Sequence, residues 1–231
     1  MDYNASTVAE MVRRVLADLE KNGAGVSAAP KAATPAVPVS NGDIPVGISN
    51  RHIHLSREDM ETLFGAGYEL TPMKDLSQPG QYACKETLTL VGPSMRAIEG
   101  VRVLGPLRKE SQVEISRTDS FTLKVKPPVR ESGSLEGSAP IIIVGPCGIV
   151  SLKKGCIIAN RHIHMHTDDA ARFGVSDGDY VNIDVGCGTR RTRWFDVQIR
   201  VSPKFALEMH VDTDDANAVG IGNGARVTLV K

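Results

Sequence analysis

Two identical pentapeptides hold four of the six histidines in this chain. Residues 50–54 and residues 160–164 both read Asn-Arg-His-Ile-His. In an extended strand, side chains at positions i and i+2 point to the same face, so each copy presents two imidazoles to one spot and turns its isoleucine toward a core. Imidazole is the commonest metal-ligating side chain. The duplication therefore predicts two metal ions, or one metal site supplied by both halves of the chain.

A fifth histidine can complete the second pair. Alternation along residues 207–212 puts His210 on one face together with two acidic side chains. If His210 meets His162 and His164, the site has three protein ligands and an open position, which is the layout of a catalytic zinc. His166 alternates in phase with the same pair and is an alternative ligand, although we favour a surface histidine at the end of the strand.

The first pair, His52 and His54, needs a further ligand from elsewhere in the sequence. Acidic residues near the middle of the chain can supply it, and Glu110 and Glu114 are the main candidates. Their spacing from the pentapeptide does not choose between them.

An anion-binding segment lies close to these acidic residues. A Gly-Pro turn presents Arg108 together with Lys109, and a guanidinium binds phosphate bidentately, which an ammonium group does not. The alternative is a solvated charge cluster in which Lys109 pairs with Glu110. The arginines of the two pentapeptides, Arg51 and Arg161, either bind an anion or support the local turn.

Several other chemistries find no support in the sequence. There is no Walker loop, no Gly-x-Gly-x-x-Gly and no Gly-x-Ser-x-Gly, so nothing indicates use of nucleoside triphosphates, dinucleotide binding or a serine hydrolase. The four cysteines include no Cys-x-x-Cys pair, which argues against a disulfide scaffold and a cysteine-type zinc site. Cys147 has no visible base partner, and free thiols in a reducing cytoplasm are the preferred interpretation.

The composition excludes some classes of partner and favours short strands. Lys and Arg together number 27 and so do Asp and Glu, so the net charge is zero and indicates neither a nucleic acid nor a membrane surface as partner. Aromatic residues make up only 4% of the chain, while glycine is frequent, which suits short β-strands and tight turns. The first residues lack the pattern of a signal peptide, and no segment has the length of an apolar transmembrane helix.

The chain divides into a terminal helix, a linker and a folded body. Apolar residues recur at helical spacing within residues 1–20, and residues 21–43 are rich in Ala, Pro, Gly and Ser. This helix either docks on its own domain or is a detachable tag that folds on a partner. From residue 44 onward, short strands and Asp-Gly or Asn-Gly turns predict a mainly β fold with short capping helices. The repeat by itself suggests two successive small β-barrels.

Five segments together resemble one family. They are the two pentapeptides, residues 103–110, residues 112–119 and residues 209–212, and the resemblance is to the phosphate propanoyltransferase (phosphotransacylase) family of bacterial microcompartments. It covers about residues 44–231. The resemblance implies that the barrels interleave, with residues 44–50 and 160–231 forming the first β-barrel. Residues 51–159 then form the second, with a short insertion near residues 66–86.

The resemblance also assigns the site and the partners. It implies two zinc ions per chain, one bound by His52, His54, Glu114 and the coenzyme A sulfur, and the other bound by His162, His164 and His210. Arg108 matches the arginine that holds phosphate. The helix of residues 1–20 resembles an encapsulation peptide that binds a shell protein and directs the enzyme to the lumen of a cytoplasmic microcompartment, such as one for propanediol degradation. We consider a homodimer alongside the monomer.

The implied reaction is the reversible conversion of propanoyl-coenzyme A and phosphate to propanoyl phosphate and free coenzyme A. Zinc near the thioester can polarise its carbonyl, and a positioned phosphate can attack without a covalent enzyme intermediate. Two other functions fit parts of the pattern. A zinc-dependent thioester hydrolase would use metal-bound hydroxide, and a non-enzymatic shell-associated protein would use the metals only as structural elements.

Overall fold

β-Strands dominate the computed structural model, which describes residues 44–186 and 190–230. The strands are β1 (Ile44–Ser49), β2 (His52–His54), β3 (Pro72–Asp75), β4 (Tyr82–Val91), β5 (Ala97–Gly105), β6 (Gln112–Glu114), β7 (Val129–Arg130), β8 (Ala139–Val144), β9 (Ile149–Ala159), β10 (His162–Met165), β11 (Tyr180–Val185), β12 (Thr192–Val201), β13 (Glu208–Asp212) and β14 (Arg226–Val230). The helices are α1 (Arg57–Phe64), α2 (Arg117–Leu123), α3 (Thr167–Phe173) and α4 (Thr213–Val219). The predicted N-terminal helix and linker lie outside the described residues.

The strands close into two six-stranded barrels, so the predicted mainly β, two-barrel architecture is confirmed. The first barrel runs in the order β1-β13-β10-β12-β11-β14. The second runs in the order β9-β6-β2-β5-β4-β8, and it closes because β8 pairs with both β4 and β9. Strands β3 and β7 are not part of this closed ring; β3 pairs with β4, and β7 pairs with β9. Within the described residues, no helix has the length and apolarity needed to cross a membrane.

The two barrels exchange the strands that precede the pentapeptides. Strand β1 leads into β2, yet β1 pairs with β13 and β14 of the first barrel. Strand β9 leads into β10, yet β9 pairs with β6 and β8 of the second barrel. Each histidine strand is thus joined to a strand of the other barrel by a very short connection. This crossover fixes the two histidine strands near one another.

Each barrel has its own apolar core, and the isoleucine of each pentapeptide lies in it. Ile53 and Ile163 are both fully buried. Burying an isoleucine side chain stabilises the fold by about 1.5–3 kcal/mol relative to leaving it exposed. Because successive side chains alternate across a strand, this anchoring turns the flanking histidines to the opposite face.

A short helix follows each strand that carries the site, and polar caps fix where it begins. Ser56, Ser116 and Asp212 cap α1, α2 and α4 by accepting a hydrogen bond from a backbone amide of the first turn. The cap of α3 is His166, because its imidazole Nδ1 accepts from the backbone amide of residue 168. Helices α3 and α4 both end at a glycine in the left-handed region, which favours this residue.

Hydrogen bonds join the barrels across their interface. Gln78 donates from Nε2 to the carbonyl of Ala206 at 3.0 Å, and its Oε1 accepts from the amide of the same residue at 3.2 Å. The hydroxyl of Ser77 donates to the carboxylate of Glu208. On another side, the amide of Thr118 donates to a carboxylate oxygen of Asp214 at 2.8 Å. Gln78 belongs to the predicted insertion of residues 66–86, which therefore also links the two barrels.

Candidate active site

The two histidine pairs each acquire a third partner from a neighbouring antiparallel strand. Glu114 on β6 lies opposite His52 in the register of the second barrel. His210 on β13 lies opposite His162 in the register of the first barrel. The donor atoms within each group of three all lie within 4.8 Å of one another. The two groups are therefore equivalent in topology, and each can hold a metal ion.

Backbone carbonyls fix the orientation of the first imidazole in each pentapeptide. Nδ1 of His52 lies 2.8 Å from the carbonyl oxygen of Asn50. Nδ1 of His162 lies 2.8 Å from the carbonyl oxygen of Asn160. A carbonyl can only accept, so each Nδ1 carries the proton and each Nε2 presents a lone pair. Such an outer hydrogen bond is the usual means by which a metal-binding histidine is oriented.

The remaining histidines carry buried ring nitrogens without a hydrogen-bond partner. These atoms are Nδ1 of His54, Nδ1 of His164 and Nε2 of His210. Nε2 of His210 is 2.8 Å from a carboxylate oxygen of Glu208, a contact that is an ion pair only when the ring is protonated. A buried polar atom without a partner is costly. All three atoms belong to the two groups of three, and a metal ion would satisfy them.

The second barrel provides a site with one stable negative charge. Burial opposes ionisation of Glu114, but His52 and His54 together with a hydrogen bond from Ser132 hold its pKa well below the ordinary value. Burial also lowers the pKa of His52, yet the Glu114 carboxylate, 3.4 Å from Nε2, raises it overall. The pKa of His54 is well below the ordinary value because of burial and the charge of His52.

In the first barrel, two of the three imidazoles have strongly lowered pKa values. Burial and the neighbouring His210 lower the pKa of His162 to about 4. Burial and the neighbouring His162 lower the pKa of His164 to about 2. Both rings are therefore uncharged at neutral pH, which is the state that ligates a metal.

Arg108 is held next to the second-barrel group. Its backbone amide donates to the carbonyl of Leu55, just after β2, at 2.8 Å. The preceding turn packs so tightly that a Cβ on Gly105 would lie 2.3 Å from the ring of Tyr82. The guanidinium donates to the hydroxyl of Ser132 at 3.1 Å, and burial lowers the pKa of Arg108 below its ordinary value. The predicted anion-binding arginine thus lies beside the candidate metal ligands.

A cavity of about 640 Å³ lies between the barrels and joins the two groups. Both pairs of pentapeptide histidines line it, and so does the third partner of each pair. Arg108 lines it from the second barrel, and Arg200 and Phe205 line it from the first. A small anionic substrate in this cavity can therefore reach residues of both barrels.

The pentapeptide arginines pair with the helices that follow the third partners. Arg51 donates from Nε to Asp119 at 3.0 Å and lies 2.8 Å from the other oxygen through Nη2. Arg161 lies 3.7 Å from Asp215, the matching residue of α4. Both aspartates stand five positions after the third partner of their group. The arginines therefore support the local structure, which was one of the two predicted alternatives, and the matched spacing was a signal in the sequence.

Other candidates from the sequence lie away from the two groups. Glu110 is exposed and pairs with Lys154 at 3.3 Å, so the geometry favours Glu114. Lys109 is exposed as well. His166 caps α3, as described above, and Cys147 is exposed with its thiol donating to the carbonyl of Phe64 at 3.3 Å.

A polar network around Glu114 was not visible in the sequence. Oε1 of Glu114 accepts from Nε2 of Gln112 at 2.5 Å and from the hydroxyl of Ser132 at 2.7 Å. Ser132 lies in a loop 18 positions further along the chain, and no motif marks it. Glu131 in the same loop lies 3.2 Å from Nε of Arg200 in the first barrel. These contacts depend on tertiary structure, which spacing along the chain does not encode.

Comparison with known proteins assigns the family. A profile described as phosphate propanoyltransferase matches residues 45–222. The phosphate propanoyltransferase of Thermotoga maritima is 63% identical over 186 residues, which are 80% of this chain and 88% of that relative. The one of Lachnoclostridium phytofermentans is 56% identical over 187 residues, which are 81% of this chain and 87% of that relative. The one of Rhodopseudomonas palustris is 44% identical over 231 residues and covers 100% of both chains. The chain therefore belongs to the phosphate propanoyltransferase family.

Proposed function

We propose that this protein transfers a short acyl group, propanoyl in the first instance, between coenzyme A and phosphate. The observation that carries the proposal is the pair of three-residue groups facing one cavity together with Arg108. Membership of the family supports the reaction, and the names of the relatives support propanoyl as the acyl group.

We propose zinc as the metal in both groups. Nitrogen and carboxylate ligands suit zinc, and two ligands of one tetrahedral zinc lie about 3.4 Å apart. Nε2 of His52 and the carboxylate of Glu114 are separated by 3.4 Å, which fits. The buried unpartnered nitrogens of His54, His164 and His210 fit as well. Zinc bound by these residues would supply Lewis acidity for the thioester carbonyl and for the departing thiolate.

The residues of the chain account for binding and orientation of the phosphate. Arg108 offers a charged fork of donors beside the ligand groups, and one nitrogen of that fork donates to Ser132. A phosphate held there can direct one oxygen at the thioester carbon, so that a C–O bond forms while the C–S bond breaks. Holding both reactants in the cavity turns a bimolecular encounter into a positioned reaction.

No cysteine described in the structure suits a covalent intermediate. Burial raises the pKa of Cys84 to about 11 and that of Cys156 to about 12, so both remain protonated at neutral pH. Cys147 does not line the cavity. Direct transfer from sulfur to phosphate oxygen is therefore the preferred route.

The test is the release of coenzyme A from propanoyl-coenzyme A by the full, metal-loaded chain, with and without phosphate. We expect release only with phosphate, and formation of one propanoyl phosphate per thiol. Release at the same rate without phosphate would instead identify a thioester hydrolase. Absence of release by protein with its full metal content would overturn the enzymatic proposal.

We propose that residues 1–20 direct the enzyme into a bacterial microcompartment by binding a shell protein. The support is the apolar stripe at helical spacing in residues 1–20 and the linker-like composition of residues 21–43. A fluorescent protein carrying residues 1–20 should co-localise with shells in a host that makes them. The matched control replaces Val12 and Leu16 by Asp, which removes the stripe but keeps the length. Equal co-localisation of both fusions would contradict the proposal.

A further inference from the structure

Arg200 lines the cavity from the first barrel, whereas Arg108 lines it from the second. It pairs with His164 in the parallel register of β10 and β12, so both side chains share one face. Phe205 packs against both, with its ring centroid 4.3 Å from that of His164 and 5.9 Å from Cζ of Arg200. The side chain of Arg200 is only 24% exposed. The first barrel thus places a guanidinium beside its own ligand group, as the second barrel does with Arg108.

Two consecutive residues of one loop hold both guanidiniums. Glu131 lies 3.2 Å from Nε of Arg200, and its neighbour Ser132 accepts from Nη1 of Arg108 at 3.1 Å. The two arginines come from different barrels, yet one loop contacts both of them. The charge of Arg200 contributes to lowering the pKa of Arg108 and of His164, which agrees with this proximity.

The pairing of Arg200 with Glu131 is suited to replacement. The side chain of Glu131 is 43% exposed, and ion pairs in contact with water are weak. A phosphate dianion that enters the cavity would offer two or more oxygens to the guanidinium of Arg200. It can therefore replace the carboxylate of Glu131. Two guanidiniums near one another also repel unless an anion lies between them.

We propose that Arg200 is a second phosphate-binding residue, which leaves Glu131 and binds the phosphoryl group from the first barrel while Arg108 binds it from the second. Glu131 then serves as the partner of Arg200 while the cavity lacks phosphate. This inference rests on the proposed acyl transfer and adds to it a specific device for recognising phosphate, formed by both barrels.

The test uses the full metal-loaded chain and varies inorganic phosphate at a fixed, saturating concentration of propanoyl-coenzyme A. For Arg200→Gln we expect the KM for phosphate to rise about tenfold or more, because a charge-assisted hydrogen bond to the substrate is lost. The KM for propanoyl-coenzyme A and the metal content should stay as in the wild type. Arg200→Lys keeps the charge but not the fork and should give an intermediate value.

Two further variants separate binding from structural support. Arg193→Gln is the matched control, since Arg193 lies on the same strand, is exposed and pairs with Asp184 at 2.6 Å. It should leave both KM values unchanged. Glu131→Gln should lower the KM for phosphate by about two- to fivefold, in line with the strength of an exposed ion pair. The same change should have no effect in the Arg200→Gln background.

The outcomes are distinguishable. A phosphate KM within twofold of the wild type in both Arg200 variants would overturn the inference and leave acyl transfer intact. A rise in the KM for phosphate on replacing Glu131 would overturn its role as a displaceable partner. Turnover by the wild type that does not depend on phosphate would refute the proposed function itself, and this inference with it.

Discussion

Replacing the two aspartates that pair with the pentapeptide arginines should have unequal effects on stability. Asp119 is buried, accepts from Arg51 through both oxygens at 2.8 and 3.0 Å, and also accepts from the amide of Ser116 at 3.2 Å. Asp215 occupies the matching position but lies 3.7 Å from Arg161. The duplicated sequence therefore provides its own matched control.

The expected free energies follow from these contacts. Asp119→Asn loses a bidentate, charge-assisted pair on a buried carboxylate, which should cost about 2 kcal/mol of unfolding free energy. Burial raises the pKa of Asp215 to about 6. Arg161 lowers this pKa, whereas the charges of Asp212 and Asp214 raise it. Above pH 6 the shift in pKa corresponds to a destabilisation of at most about 3 kcal/mol by the carboxylate. The true destabilisation is smaller, because the side chain is 32% exposed and solvent screens its charge. Asp215→Asn should therefore be neutral or stabilise by about 1 kcal/mol.

The sign of the pH dependence is a further test of this reasoning. The folded protein holds the proton of Asp215 more tightly than the unfolded chain does, so its contribution to stability falls as the pH rises from about 4 to about 6. The advantage of Asp215→Asn should thus be larger at pH 8 than at pH 5. Urea unfolding at both pH values, with each variant compared with the wild type at the same pH, measures it. A loss of stability in Asp215→Asn as large as in Asp119→Asn at pH 8 would refute the argument.

Three further predictions concern the site and its support. Arg108→Ala should raise the KM for phosphate at least about tenfold without changing metal content by mass spectrometry, and an unchanged phosphate dependence would contradict its assignment. His164→Ala should lower the bound zinc from about two ions to about one per chain, since the two groups of ligands are separate; loss of both ions would show that they are not. Burial opposes ionisation of Glu86, but hydrogen bonds from its own backbone amide, Thr71 and Tyr68 lower its pKa overall, so its contribution to stability is lost as the pH falls through that lowered value. Glu86→Gln should therefore cost about 1–2 kcal/mol at pH 7 and less at acidic pH in urea unfolding, and a constant cost would contradict this.

The histidines of the site could be predicted from the sequence because the alternation of side chains along a strand is a local rule. A histidine at i and i+2 with a buried isoleucine between them, as at Ile53 and Ile163, leaves little freedom in where the imidazoles point. The choice of Glu114 over Glu110 was not local. It depends on the antiparallel pairing of β6 with β2, which residue types alone do not specify.

Other parts of the site depend on contacts between distant segments. Ser132 and Glu131 reach the site from a loop without a motif, and Arg200 is one of several arginines with no distinguishing neighbours. The exchange of β1 and β9 between barrels is also invisible in the repeat, since each strand directly precedes its pentapeptide in the sequence. By contrast, the spacing from Glu114 to Asp119 equals that from His210 to Asp215, so this extension of the repeat was present in the sequence.

The exchanged strands give a physical reason why one cavity serves both ligand groups. If β1 and β9 each belonged to the same barrel as the histidine strand that follows it, no short connection would link a histidine strand to the other barrel. The distance between the two histidine strands would then depend on how the barrels dock. Because β1 and β9 cross over, the chain between Ser49 and His52, and that between Ala159 and His162, tether each histidine strand to the other barrel. The loop of Glu131 and Ser132 adds a third constraint, because it contacts an arginine of each barrel. A reaction that joins a thioester to a phosphate needs both groups at a fixed distance, and this topology sets that distance through covalent connections as well as packing.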